Sequence, residues 1–587
     1  MSIPTSVDFE LAEDLIDKGK KEEALEFVKK FARSAISLNQ QGDADEALEI
    51  AFKCQDLLLK IGSEKYLANN YLMIGRIYRG RLNIEPALKL ANKALGIHQR
   101  LRNRRGIASS LNLLGNLYWD QRDHERALRF IEQSLSIDEI SPEVKLDILS
   151  GLGGAYLIWG ELSKALNYCE EAIEFVKETN LIYFCPHNLY IIGAIYLMMG
   201  DYERSEVFLH KSLTLIDKLK WKTVQKGLTL VVLIWLELSR NFDEEAKKYL
   251  TLLKNFTDQS KSIELLPEIF SIGKGMILQK SSKLRDRAEA ERLLKEVVDG
   301  EIYNIRFGRD YIYPYALYFL CDFLVEELGI SNDIGLIPEI NSYISKLDDL
   351  GDEHNSYLYR TEATLLQARL ALIQLNLGEA RILLTQAQEM AETHNLQYFA
   401  KIISSNHDRL LEQQDLLEEL KKTNSPISER IKYASLDGVL SRLKEKSSTE
   451  SSEIINETPI LLLIISKGGI LICSKTYSET LSVDSDLISS FLSAFESFGD
   501  ELFAERLDRI KYGENTIIMK PLENFSVCYL FKGQSYPALH KLTRFTEVIT
   551  EDSEIWQILS NAVKTGEMLE LDRNPSLKSV IDEIFIS

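Results

Sequence analysis

A small residue, an aromatic three positions later and a second small residue twelve positions after the first recur about every forty residues along this 587-residue chain. Gly75, Tyr78 and Ala87 begin the clearest run. Gly115, Tyr118 and Ala127, then Gly153, Tyr156 and Ala165, then Gly193, Tyr196 and Ser205 continue it. A period of that length restricts the chain to an array of two-helix units, because one unit cannot bury its apolar face alone and must stack on its neighbours. The residue types follow from the packing. Gly or Ala at a helix crossing lets two backbones approach, and the tyrosine one turn on is expected to fill the space between units.

Weaker versions extend the register outward, at Ala35, Ala47 and Ala51, at Ile234, Ala246 and Leu250, at Leu278, Ala290 and Leu294, and at Ala368, Ala380 and Leu384. The segment from Asp8 to Lys30 reads as another helix pair, turning at Gly19 with Ala24 in the second small position. Between Tyr311 and Asp349 the helical period persists without the motif, as a degenerate or capping unit would give. Roughly nine or ten helix pairs fit before residue 425.

The stretch LNLLGNLYWDQRDHERALRFIEQSLSI, Leu111 to Ile137, resembles the tetratricopeptide repeat at Leu114, Gly115, Tyr118, Ala127, Ile131 and Ser134. The forty-residue spacing resembles the longer repeats of kinesin light chain and related scaffolds more than the standard period of about 34 residues. The resemblance implies a superhelix whose concave groove is lined by the first helix of each pair, at positions one and four after the small residue. Those positions hold Arg76 and Arg79, Asn116 and Trp119, Gly154 and Leu157, Ala194 and Leu197, and Trp235 and Leu238. The groove would run from basic and amide-bearing to apolar. Arg76, Arg79, Asn112 and Asn116 suit a peptide backbone or carboxylate, although arginines on a solvated helix face are also common. The candidate partner-groove residues are therefore Arg76, Arg79, Asn112, Asn116, Trp119, Leu157, Leu197 and Trp235.

LTLVVLIWLEL, Leu228 to Leu238, has nine apolar residues in eleven and no polar stripe. A helix apolar all round must be covered on every side, and this one is too short to cross a bilayer. Either neighbouring degenerate repeats cover it, or a partner segment or the C-terminal module does.

Composition narrows the function classes. Apolar residues make up 45% and charged residues 27% of the chain, an ordinary soluble balance, and the net charge of −20 opposes general attraction to nucleic acid. The acidic beginning, MSIPTSVDFELAEDL, lacks the basic start and apolar stretch of a secretion signal, and no apolar run reaches the ~18 residues of a membrane span. A cytoplasmic location is expected. Cys54, Cys169, Cys185, Cys321, Cys473 and Cys528 are scattered without paired spacing, which speaks against a zinc site or a disulfide framework. The eight histidines occur singly and no GxxxxGK[ST] is present, so no metal, cofactor or catalytic group is expected. Gly468-Gly469 reads as a turn. Gly151, Gly153 and Gly154 lie inside a repeat helix, with Gly153 at the packing position.

A composition break at Ser441 to Pro459, SRLKEKSSTESSEIINETP, reads as a polar linker. Beyond it, short β-rich runs appear: PILLLIIS, GILICSKTY, RLDRIKYGE, NTIIMKPLE and FSVCYLFKG. Amphipathic helices are expected at Ser485 to Phe503, at Ser535 to Thr550 and from Glu554 onward, and Lys467-Gly468-Gly469 should turn the first two strands into a hairpin.

This order, with SKGGILICSKTY, DLISSFLSAFESFGDELF and CYLFKGQSYPALHKL, resembles the longin and roadblock superfamily, especially its small archaeal members, over roughly Thr458 to Asp552. The resemblance implies a five-stranded antiparallel sheet with helices, in a module that dimerises or docks onto small GTPases and trafficking or motility complexes. No binding residue carries over, since the superfamily has no short motif to match. The fold class is thus mostly α: a tetratricopeptide solenoid over 1–425, a helical or flexible linker over 426–457, and a small α/β longin- or roadblock-like domain over 458–587. The expected function is a non-enzymatic scaffold or adaptor. Its groove would bind a peptide or helix and its C-terminal module would form a homodimer through 458–552 or bind a GTPase. A ligand- or peptide-responsive signal sensor is the alternative.

Overall fold

The computed structural model describes residues 4–41, 43–81, 83–221, 223–261, 263, 265–300, 312–423, 425–434, 457–467, 470–477 and 509–586. Most of the expected linker and the expected helix Ser485 to Phe503 lie outside them. Packing groups the described residues into two units, Met1–Glu326 with Ile337–Arg360, and Glu327–Leu336 with Thr361–Ser441 and Ser447–Ser587.

The first unit is an array of antiparallel helix pairs. It opens with α1 (Ser6–Asp17), α2 (Lys21–Gln41) and α3 (Ala44–Ile61), and α1 begins at a capping box in which Thr5 and Asp8 satisfy each other's backbone N–H groups. The strongest motifs fall on α4 (Glu64–Gly80) with α5 (Ile84–Arg100), α6 (Arg104–Asp120) with α7 (His124–Leu135), α8 (Pro142–Trp159) with α9 (Leu162–Thr179), and α10 (Cys185–Met198) with α11 (Tyr202–Leu219). The weaker motifs give α12 (Val224–Ser239) with α13 (Asp243–Gln259), and α14 (Leu266–Gln279) with α15 (Leu284–Asp299). The stretch without a motif still forms α16 (Tyr313–Ser331) and α17 (Leu336–His354).

The small residues act as the period requires. Ala87, Ala127, Ala165 and Ser205 have no exposed surface. A Cβ added at Gly115 would lie 2.8 Å from Ile131 Cγ1 and 3.1 Å from the Ala127 carbonyl oxygen, so the two helices cross too closely for a larger residue. Where serine takes the second small position, its hydroxyl is not left idle: Ser205 Oγ donates to the Gly193 carbonyl at 2.8 Å.

The tyrosines pack on neighbouring units, as at Tyr78 and Tyr156, and also stack within hairpins. Three of the four stack inside their own hairpin on the aromatic twelve residues later, Tyr118 on Phe130 at 5.3 Å, Tyr156 on Tyr168 at 5.4 Å and Tyr196 on Phe208 at 5.7 Å. A cation eight residues on covers the ring: Arg126, Lys164 and Arg204 lie 5.5, 5.1 and 5.4 Å from the respective centroids. The reason is the antiparallel return of the second helix, which brings that turn opposite the tyrosine. Tyr78 lies edge-on to Phe52 of the preceding unit at 6.5 Å, and Tyr156 also packs on the cluster that holds Ile131 of the preceding hairpin.

The apolar helix α12 is covered by the chain itself. Trp235, 4% exposed, lies edge-on to Phe319 at 5.0 Å and to Tyr315 at 5.5 Å, both on α16.

The second unit contains α19 (Leu377–Thr393), α20 (Gln397–Glu412), α21 (Gln414–Lys422) and α22 (Ile427–Tyr433), preceded by α18 (Tyr357–Ile373), in which the division falls. With them is an antiparallel sheet of β1 (Thr458–Ser466), β2 (Leu471–Thr476), β3 (Arg509–Tyr512), β4 (Asn515–Pro521) and β5 (Phe525–Lys532), in the order β2-β1-β5-β4-β3. Each expected β-run became a strand. β1 is buried from Ile460 to Ser466, and alternate residues form two clusters: Leu462, Ile464, Val527 and Tyr529 on one face, Leu461, Leu463, Ile465 and Cys528 on the other. The first face packs on α23 (Ser535–Glu551), α24 (Ser553–Thr565) and α25 (Pro575–Ile586) through Leu542, Phe545, Leu559, Ile581 and Phe585.

Polar contacts tie the sheet to the helices before it. The fully buried Arg509 on β3 donates from Nη1 to Ser404 Oγ at 3.3 Å and lies 3.9 Å from Asp408 Oδ1. Asp408 in turn accepts from the Ser535 backbone N–H at 3.0 Å and from its hydroxyl, at the start of α23. Burial pushes the Asp408 carboxyl above the ordinary carboxylate range, against the pull of the Ser535 hydroxyl and of Arg509.

Candidate functional site

On the first unit, α4, α6, α8, α10 and α12 each contribute to one cavity of about 400 Å³. Aromatic walls come from Trp119, Tyr183, Phe184 and Trp221, and polar groups from Arg79, Asn112, Asn116, Asp147, His187 and Gln225. Asn112 and Asn116 are one turn apart on α6 and so share a face. Asn112 Nδ2 donates to Asp147 Oδ2 at 2.6 Å; Asn116 Nδ2 reaches the same oxygen at 3.3 Å and Asn112 Oδ1 at 3.4 Å.

The ladder continues across α8, α10 and α12. Asn188 Nδ2 donates to Ser150 Oγ at 2.8 Å, and His187 Nδ1 meets Gln225 Oε1 at 3.2 Å, leaving the buried Gln225 Nε2 without a partner. Trp119 is fixed from behind. It lies 4.7 Å from His124 and 5.3 Å from Trp159, whose indole N–H donates to the His354 carbonyl at 3.1 Å. A wall so anchored presents a preorganised aromatic face.

Of the residues singled out from the sequence, Arg79, Asn112, Asn116 and Trp119 meet in this cavity. Arg79 is not a free cation. Its Nε and Nη2 donate to Asp120 Oδ2 and Oδ1 at 2.6 and 3.3 Å, a bidentate pair with a buried carboxylate. Arg76, exposed, lines an adjoining cavity of about 330 Å³ with Arg33, Asn69, Asn70 and Ser109. Leu157, Leu197 and Trp235 are 3%, 1% and 4% exposed and line neither cavity. On α8 the lining is instead Gly151, Ala155 and Ile158, one residue round the helix from the expected positions.

The expectation also missed Asp147, Ser150 and His187. They continue the inner stripe toward the helix N-terminus, at three and six positions before the small residue, where Asn112 already pointed. Reading the stripe over the whole helix, rather than its second half, would have found them.

Residues 66–140 and 106–178 match the tetratricopeptide-repeat family model. The match spans three helix pairs, α4 to α9, including both asparagines and Asp147. No curated protein matches the chain. Among solved structures, a Rap protein complexed with competence and sporulation factor is 14% identical, with 63% of this chain and 98% of that one covered at a TM-score of 0.42. Aspartyl phosphate phosphatase F from Bacillus subtilis is 11% identical, covering 60% of this chain and 95% of its own at a TM-score of 0.38. At such TM-scores neither bears on the site.

Among the described residues no cluster of three or more His, Cys, Asp or Glu is arranged to hold a metal ion, and no helix is long and apolar enough to cross a membrane. Burial pushes the Cys54 thiol up to about 12 and the Cys185 thiol above its ordinary value, which lowers thiolate reactivity at both. The elements α4 to α12 thus bring side-chain amides, a carboxylate and aromatic rings to one cavity.

Proposed function

We propose that this chain is a non-enzymatic protein-interaction scaffold of the cytoplasm whose repeat groove binds an extended peptide or a helix of a partner. The observation that carries this reading is the amide and carboxylate ladder Asn112, Asn116, Asp147 and Gln225 inside an aromatic-walled cavity of about 400 Å³. Side-chain amides both donate and accept, which suits the alternating groups of a peptide backbone. Trp119 and Trp221 supply apolar area at small entropic cost. Support comes also from the tetratricopeptide match, which covers α4, α6 and α8 of the cavity.

Affinity capture from native extract, quantified by mass spectrometry, tests the reading. Asn116→Ala should lose the captured partners, while Lys53→Ala on exposed α3 surface should keep them. Equal recovery by both variants and the parent would remove the groove from the function.

We further propose that the C-terminal sheet module, on its resemblance to longin and roadblock domains of archaeal type, gives the scaffold a second contact, either with its own copy or with a small GTPase. The five-stranded antiparallel sheet with helices on one face is what that resemblance implies.

A further inference from the structure

Two neighbouring cavities of the groove carry charged groups of opposite sign. In the larger one Asp147 takes both asparagine amides on Oδ2 and forms no ion pair with any described cation, since Arg79 on the same wall is held by Asp120. Trp119 and Trp221 line the same cavity. A carboxylate in a cavity whose walls also carry two indoles favours a lysine or arginine side chain, which can donate a charge-assisted hydrogen bond to the one and make a cation–π contact with the others. In the smaller cavity Arg33 and Arg76 make no ion pair with a described acid, while Lys29 spends its ammonium on Glu26 at 2.6 Å. Asn70, 5% exposed, lines the same cavity and donates Nδ2 to the Ala51 carbonyl at 3.0 Å.

The cavities adjoin. Arg76 and Arg79 are one turn apart on α4, Ser109 and Asn112 one turn apart on α6, and in each pair the first residue lines the smaller cavity and the second the larger. Three helical residues rise ~4.5 Å, so the two cavities meet along the walls made by α4 and α6. We infer that the groove selects a charge-polarised peptide, its lysine or arginine beside Asp147 and an acidic side chain or terminal carboxylate a few residues away beside Arg33 and Arg76. This rests on the peptide-groove reading above and adds to it the ligand's charge order and direction, since a reversed peptide would set like charges together.

Selection of a random phage-displayed peptide library on the full-length protein tests it, with the selected peptide then titrated by tryptophan fluorescence. The expected winners carry a base and an acid in fixed order. Replacing the peptide's arginine by citrulline, or its lysine by norleucine, should weaken binding about tenfold or more. Asp147→Asn should erase that discrimination and Arg76→Gln the preference for the acid, each leaving the other preference intact. The ligand substitutions keep the test decisive even if a variant folds poorly. Winners without the paired charges, or with preferences indifferent to both variants, would overturn the charge order while leaving a peptide groove. Failure to enrich any peptide would sink both.

Discussion

Replacing Gly115 by alanine would place a methyl group 2.8 Å from Ile131 Cγ1 and 3.1 Å from the Ala127 carbonyl, and the carbonyl cannot swing aside. Overpacking of this kind should cost about 1–3 kcal/mol in denaturant unfolding. Gly151, also within a helix, has nothing within 4 Å of an added Cβ, so Gly151→Ala should be neutral or stabilise by up to about 1 kcal/mol through helix propensity. The pair separates a packing glycine from a merely tolerated one, and equal effects would refute the distinction. His98 supplies the pH dependence of the same hairpins. Its ring lies against Gly106, where a Cβ would stand 2.3 Å from Nδ1, and it is fully buried, with Nδ1 accepting from Asn103 Nδ2 at 3.0 Å and Nε2 unpartnered. Burial, and then the charge of Lys65, push its pKa below 6.5. A depressed folded value means that this contribution to stability is complete above the unfolded value of about 6.5 and is lost as pH falls toward the folded one. The melting temperature should therefore drop between neutral pH and mildly acidic pH, and His98→Gln should flatten that slope. An unchanged slope would exclude His98 as its source.

At the scale of elements, α12 and β3 show how far a one-dimensional pattern reaches. The apolar sweep Leu228–Leu238 says that a cover exists, but its source is α16, whose Phe319 and Tyr315 reach Trp235 from across some eighty positions with no motif to announce them. Trp235→Ala should cost about 3–5 kcal/mol in chemical denaturation, and Trp235→Phe less, because the buried indole N–H has no partner to lose. A cost below 1 kcal/mol for the alanine would mean that the helix is not covered as described. The strand runs were legible because burial on both faces of β1 leaves an unbroken apolar segment, and the repeats because helix crossings demand small residues at a fixed period. Tyrosine stacking within hairpins, beside the packing between units, was not legible. Spacing gives the partner's turn but not which of two neighbouring helices faces it. The site was half legible for a similar reason, since Asn112 and Asn116 advertise a polar stripe while Asp147 and His187 look like ordinary surface residues until the helices stack. The contacts of Arg509 lay beyond any period. Removing it as Arg509→Ala would leave Asp408 and Ser404 in place without their cation, a change expected to cost about 3–5 kcal/mol. For the same reason a fragment of residues 361–587 should melt cooperatively at a higher temperature than one of residues 458–587, which places the expected boundary at 458 under direct test. Equal melting would return the boundary to the polar linker.

For the whole molecule, the open question is what a sheet with two edges does with them, since unpaired strand edges invite association. Both edges of this sheet are partly occupied by the chain's own groups. On β2 the Ile472 carbonyl accepts from the Leu569 backbone N–H at 2.7 Å, and Lys475 pairs with Asp582 at 3.1 Å. On β3 the Arg509 carbonyl accepts from Arg381 Nη2 at 3.2 Å. A homodimer through residues 458–552 therefore gains little from extending the sheet at these positions, and an isologous contact would have to use side-chain surface. This makes the expected dimer sensitive to surface charge and insensitive to edge-blocking changes. Light scattering of the full-length chain over a range of concentrations should give a dimer that persists in Leu569→Pro, where the N–H that covers β2 is removed, and that is weakened by raised salt if charged groups dominate the contact. A dimer abolished by Leu569→Pro with the melting temperature unchanged would point to an edge-to-edge contact instead. A chain that remains monomeric at every concentration, and shows no mass increase with any candidate small GTPase, would leave the sheet module as an internal cap on the helices it packs against, and the repeat groove as the molecule's one contact surface.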